Sequence, residues 1–223
     1  GATDLPEGSV ALVVTDPPYV DNVHYSELAD FFHSWMTSIR PHADYPQAGS
    51  TRDASEVQNA SPEAFRRMAS RVWAECVRVL KDDGLVVFSH QARTAGWEAL
   101  MGSLHDAGLV VTATRSVVAE VTTSLTKVAA VAPNRIDVIV VCRKRHHARP
   151  AARTAAQARA DAMRQIRALH DGGLTLGPGD VLSAVRAAVL AQGTRHDAPD
   201  WPGLRDEADG QAARALEDWP AGS

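Results

Sequence analysis

The chain is poor in cysteine: 223 residues contain two, Cys76 and Cys142, far apart and in no CxxC pair. That excludes a disulfide scaffold and makes a reducing cytoplasm the default setting. No apolar run approaches the ~20 residues of a membrane-spanning helix. The opening Gly1-Ala2-Thr3-Asp4 has neither the basic start nor the apolar core of a secretory signal. No internal repeat is present, which excludes a solenoid. Positive charge is also lacking overall, with 27 acidic against 23 basic side chains and a net charge of -4.

That average hides a pattern. Residues 1–60 hold nine acids and two bases, a balance of -7, and residues 196–223 hold seven and two, a balance of -5. The stretch between them, 61–195, holds 11 acids and 19 bases, a balance of +8. A basic middle can supply phosphate contacts that acidic ends mask in the total, although a solvated surface of mixed sign gives the same count. The length suits one large domain or one and a half ordinary ones, enough to bury a core.

Ser9 to Val14 is a short, partly β-branched apolar run and reads as a buried strand. It runs into Asp16-Pro17-Pro18-Tyr19, where paired prolines stop any ladder or helix. A helix follows from an N-cap at Ser26, with Leu28, Phe31, Phe32, Trp35, Met36 and Ile39 as an apolar stripe expected in the core. Residues 40–60 read as a long loop. Ser61-Pro62-Glu63 opens a second helix whose apolar face is Phe65, Met68, Val72, Cys76 and Val79. A turn at Lys81-Asp82-Asp83-Gly84 leads to the strand Leu85–Phe88, and Trp97, Leu100, Met101 and Leu104 mark a helix closed by Gly108. Leu109–Val121 and Ile136–Cys142 are strands, with a connection over Thr122–Asn134. Residues 151–170 suggest a surface helix, and Pro178 opens a last helix to about Gln192. The pattern is α/β, ending in an antiparallel strand pair. It divides as 1–147, a helical extension 148–195, and an acidic tail 196–223 expected to be flexible.

The chemistry concentrates in Val13-Val14-Thr15-Asp16-Pro17-Pro18-Tyr19. Rigid prolines can hold a backbone carbonyl beside the Asp16 carboxylate, placing two acceptors close together. Such a pair can bind both protons of an exocyclic amino group and aim its lone pair at an electrophile, while Tyr19 offers a stacking face. The strand's carboxyl end is where open α/β sheets bind ligands. Read alone, the same four residues are equally a strand-ending turn.

The surrounding string, Thr15-Asp16-Pro17-Pro18-Tyr19-Val20-Asp21-Asn22-Val23-His24-Tyr25 and then Asp30-Phe31-Phe32-His33-Ser34-Trp35, resembles the amino-methylating, S-adenosylmethionine-dependent DNA methyltransferases. It is most similar to the adenine-specific DNA methylases containing a zinc ribbon. The likeness extends over most of residues 9–192 and is strongest over 12–36. The resemblance implies the C-terminal part of a Rossmann-like methyltransferase sheet, from the motif IV strand onward, followed by C-terminal helices. It further implies methylation of adenine in DNA with S-adenosylmethionine as cofactor, in settings such as restriction–modification or phage defence. Asp16 and the Pro17 carbonyl would bind the target amino group, Pro18 would keep the turn rigid and Tyr19 would stack on a flipped base. Asp16 would also border the cofactor, and Asn22 and Tyr25 would lie at the pocket rim.

The chain departs from that family in two ways. The family's glycine-rich cofactor loop is missing, since Gly172-Gly173 and Gly177-Pro178-Gly179 follow a helix rather than a strand. The zinc-ribbon cysteines are missing too, and no metal site is expected. Together these suggest a C-terminal fragment whose partners are DNA and the missing N-terminal half. Two other readings remain open: a non-catalytic nucleic-acid-binding remnant, or an amino-methyltransferase for cytosine, RNA or protein glutamine. His146-His147 reads as a surface basic cluster before a metal or phosphate site. His90 could face a pocket or be structural, and Ser89-His90 lacks the GxSxG setting of a hydrolase. His24 and His33 have no partners at ligand spacing.

Overall fold

The computed structural model describes residues 3–18, 25–53, 56–57, 61–91, 94–119, 135–148, 151 and 153–219. Four strands, β1 (Val10–Thr15), β2 (Leu80–His90), β3 (Leu109–Val118) and β4 (Ile136–Lys144), form one sheet in the order β1-β2-β4-β3. β1 and β2 run parallel, and β4 is antiparallel to both β2 and β3. The α/β class and the closing antiparallel pair follow the sequence reading. The helices are α1 (Tyr25–Ile39), α2 (Pro62–Val79), α3 (Thr94–Asp106), α4 (Ala155–Asp171), α5 (Pro178–Leu190) and α6 (Trp201–Glu217).

Burial alternates along β2 and β4, as a pleated strand with one covered face requires. Val86, Phe88 and His90 of β2 and Val138, Val140 and Cys142 of β4 are buried, and the residues between them are half-buried. The buried face joins one apolar cluster with Leu100 and Leu104 of α3, Ile166 of α4, Val185 of α5 and Trp201 and Ala212 of α6. The expected turn at residues 81–84 is a bulge inside β2: Val10 pairs with Leu80, and Leu12 then pairs with Leu85. Glycine is needed at 84, where a Cβ would lie 2.8 Å from the Leu80 side chain and 3.0 Å from the Ala11 carbonyl. At Gly108 the turn from α3 into β3 takes φ +79°, a conformation that disfavours side chains.

α2 starts as its sequence directs: the Ser61 hydroxyl accepts the Ala64 N–H, and Pro62 occupies the first turn. Its buried face is Phe65, Ala69, Trp73 and Val79, however, while Met68, Val72 and Cys76 are only half-buried. Trp73 accounts for the rotation. Its ring stacks on Phe88 at 5.1 Å and its indole N–H donates to the Ser103 hydroxyl at 3.1 Å, so the helix turns to bring it inward.

The C-terminal helices are more integral than their composition suggests. α4 is closed at its start by a reciprocal Thr154–Gln157 cap and buries Ala158, Ala162, Met163 and Ile166, so it is a packed helix rather than a surface one. α5 is buried over most of its circumference. Asp180 ties it to the sheet, accepting the backbone N–H groups of Arg135 (2.6 Å), Ile136 (3.1 Å) and Gly177 (2.8 Å). The expected flexible tail is corrected over Trp201–Glu217, which forms α6 and buries Trp201, Ala208, Gln211, Ala212 and Ala215. Small alanines let α6 approach the core while its acids face outward.

Two further corrections concern the amino-terminal elements. β1 is an edge strand among the described residues, and Ala11, Leu12, Val14 and Thr15 are exposed rather than buried. The stripe Leu28, Phe31, Phe32, Trp35, Met36 and Ile39 of α1 is likewise exposed, with Trp35 at 62 %. The polar side of α1 is the covered one. Asp30 accepts from the Thr51 amide at 2.5 Å and from the Ser50 and Thr51 hydroxyls, and Arg52 pairs with it at 3.2 Å. His33 bonds the Ala48 carbonyl at 2.7 Å and the Tyr45 hydroxyl at 3.2 Å. Segment 40–53 therefore clasps the hydrophilic face of α1 and leaves the hydrophobic face bare.

Candidate active site at the carboxyl ends of β1 and β2

β1 and β2 are parallel and in register at Thr15 and Phe88, so both deliver their next residues to the same rim of the sheet. Asp16 follows on one strand and Ser89 lies on the other. The Ser89 hydroxyl donates to Asp16 Oδ1 at 2.9 Å. The carboxylate is exposed, Pro17 behind it is buried and Pro18 is half-buried. A proline pair anchored in this way cannot swing with the solvent-facing acid, because its φ angles are fixed by the rings. The arrangement presents one carboxylate oxygen held by Ser89 and a second directed to whatever occupies the rim.

Below the rim the sheet is closed tightly. His90, the last residue of β2, is fully buried with Trp97 edge-on at 5.0 Å. Burial drives its pKa down to about 3, so the ring is neutral at physiological pH. It is a structural histidine, one of the two readings its position allowed. Gln91 continues the closure by donating to the Ile136 carbonyl at 2.8 Å, which joins the end of β2 to the start of β4.

Of the residues singled out from sequence, Asp16, Pro17 and Pro18 stand together at this rim. Tyr19 and Asn22 lie outside the described residues, as does His24. Tyr25 is the first residue of α1. Ser89 is the residue the motif did not reveal; its signal was positional, since it ends the apolar run paired with the motif strand.

The basic cluster occupies the opposite end of the sheet. Arg143 bonds the Asp83 carbonyl, and Lys144 and His146 reach the Asp82 carboxylate at 3.1 and 3.4 Å. These groups hold down the β2 bulge. Among the described residues no group of three or more histidine, cysteine or acidic side chains is placed to hold a metal ion. No glycine pair among them follows a strand as a cofactor loop would: Gly172 and Gly173 end α4, and Gly177 caps α5. No described helix is long and apolar enough to cross a membrane.

No protein-family model matches the chain, and no curated protein matches it. Among solved structures it is similar to a Thermus thermophilus protein provisionally described as a DNA modification methylase, at 17 % identity and a TM-score of 0.36, over 97 % of this chain and 91 % of that one. A second structure of that protein, complexed with S-adenosyl-L-methionine, matches at 17 % identity and a TM-score of 0.35, over 97 % and 92 %.

Proposed function

We propose that the chain is the base-binding half of an S-adenosylmethionine-dependent methyltransferase acting on the exocyclic amino group of adenine in DNA. The observation that carries this reading is the placement of Asp16 at the shared rim of two parallel strands, backed by the buried Pro17 and steadied by Ser89. A flipped adenine would bring its amino group to the free carboxylate oxygen and to the Pro17 carbonyl. Holding both amino protons turns the nitrogen lone pair out of conjugation, and such positioning supplies most of the catalysis a direct transfer needs. Tyr19 would stack on the base, with Asn22 and Tyr25 beside it. Residues 1–147 form the C-terminal half of the catalytic unit on this reading, and 148–195 a helical extension.

The methyl donor is assigned to a complementary N-terminal half, because the glycine cluster Gly172, Gly173 and Gly177 sits at helix ends rather than after a strand. The enzyme would act on DNA in the cytoplasm. Asp16→Ala tests the reading in the reconstituted enzyme: methyl incorporation into DNA should fall at least ~100-fold with an unchanged melting temperature. Retained incorporation would remove Asp16 from the chemistry. Calorimetry on this chain alone should find no micromolar affinity for S-adenosylmethionine.

A further inference from the structure

Among the described residues, the outer edge of β3 is closed by side chains instead of by another strand. The Thr194 hydroxyl accepts the Val111 N–H at 3.0 Å, while Gln165 of α4 accepts the Ser116 N–H at 2.8 Å and donates to the Thr114 carbonyl at 3.2 Å. Between these two fastenings β3, α4, the end of α5 and the 3-10 turn Ala191–Arg195 enclose a cleft of about 320 Å³, counted to its mouth. That is near the lower limit for ligand pockets, about 300 Å³, so the cleft suits a small occupant.

Charge in the cleft is out of balance. Arg115, Arg153 and Arg195 line it against one acid, Asp161. That carboxylate is shared between Arg153 and Arg164, and among the described residues neither Arg115 nor Arg195 forms an ion pair. Arg195 is half-buried; its Nη1 donates to the Ala151 carbonyl at 2.6 Å, but its buried Nε has no acceptor among the described residues. Burial lowers its pKa from the ordinary arginine value, with no acid to offset the loss of water. Gln192, 6 % exposed, has the complementary deficit. Its amide nitrogen donates to the Ala188 carbonyl at 2.9 Å, which fixes the orientation of the amide, and its buried Oε1 accepts from no described group. A buried donor and a buried acceptor left without partners are both costly. The cleft therefore lacks an anion and a proton donor together.

We propose that this cleft binds hydrogen phosphate, whose oxygens take up Arg115 and the Arg195 Nε–H and whose P–OH donates to Gln192 Oε1. The proton decides among oxyanions. Sulfate has the same shape and charge but no hydrogen to give, and a phosphate monoester loses its own above a second pKa of about 6. Register sets the cleft apart from the catalytic rim: Arg115 pairs with Ile139 and Ile139 with Ser89, which puts two strand spacings, roughly 10 Å, between Arg115 and Ser89. The phosphate site does not rest on the methyltransferase reading.

Inorganic phosphate titrated into the intact chain by calorimetry, at about pH 8 where monoesters are fully deprotonated, should bind with sub-millimolar affinity. Sulfate and glycerol phosphate should bind at least ~10-fold more weakly. Arg115→Gln should weaken phosphate binding at least ~10-fold with an unchanged melting temperature, because the side chain is exposed. Arg195→Lys, which keeps the charge but not the Nε donor, should cause a similar loss. Gln192→Met removes the acceptor and should bring phosphate and sulfate within about two-fold of one another. Arg167→Gln, exposed on α4 outside the cleft, should change nothing. No phosphate binding at about 10 mM, equal affinity for sulfate, tighter binding of the monoester, or equal losses from Arg167→Gln and Arg115→Gln would each overturn the proposal.

Discussion

Trp73 and Trp35 lie on helices with equally clear apolar stripes, and the fold treats them oppositely. Trp73 is 3 % exposed between Phe88 and Ser103, whereas Trp35 faces solvent. The difference separates two regions. From α2 to α5 the helices pack on the sheet and α6 packs on α3, α4 and α5, while β1 meets the rest through the β1–β2 ladder and α1 is held by segment 40–53. Amphipathicity states that a face will be covered; it does not state by what.

The contrast is broken most severely from the packed side. Trp73→Ala removes the stack on Phe88 and the indole donor to the Ser103 hydroxyl, which keeps only its own bond to the Leu100 carbonyl, and should destabilise the chain by about 3–5 kcal/mol in chemical denaturation. A loss under about 1 kcal/mol would mean that the core around α2 is not the close-packed region described. Asp180→Ala comes next. It leaves buried N–H groups of Ile136 and its neighbours without an acceptor, and a loss of about 2–4 kcal/mol is expected. A mild result there would indicate that water replaces the carboxylate.

Acid should separate the regions by pH. Thr51, through its amide first and its hydroxyl second, holds the Asp30 carboxyl down to about 2 from an ordinary value of 3.8. A depressed carboxyl contributes its stabilisation fully above its unfolded value and loses it as pH falls through the folded one. The clasp of segment 40–53 on α1 should therefore survive to about pH 4 and open between there and pH 2. Amide exchange at Thr51 would report it, and protection persisting below pH 2 would contradict the assignment. The smallest effect is expected at Trp35→Ser, within about 0.5 kcal/mol of the parent chain. A large loss would mean that α1 is packed in solution and would erase the comparison.

Much of this architecture was legible in sequence because it is local. Alternating and helical periodicities located all four strands, and Ser61-Pro62-Glu63 and Gly108 marked their helix ends. Partnership was harder to read. The α1 stripe has the pattern of a core helix, and only tertiary structure reveals that its polar face is the occupied one. The acids between residues 196 and 218 suggested a solvated tail, since the alanines that pack α6 are too small to register as a hydrophobic signal. At the rim, Asp16-Pro17-Pro18 was visible as a motif. The Ser89 hydroxyl was not, because a contact between residues 73 positions apart depends on strand register.

Ala119 donates a backbone hydrogen bond to Arg135 at 2.8 Å, and Asp180 grips Arg135 and Ile136 just beyond. The two strands entering and leaving segment 120–134 are thus fastened at their root, on the same end of the sheet as Asp16. Doubling a loop's length adds only about 0.6 kcal/mol of closure entropy, so the stem can tolerate inserts of widely different size. The register at this end of the sheet therefore rests on the Ala119–Arg135 bond and on Asp180, and not on the length of chain that joins β3 to β4.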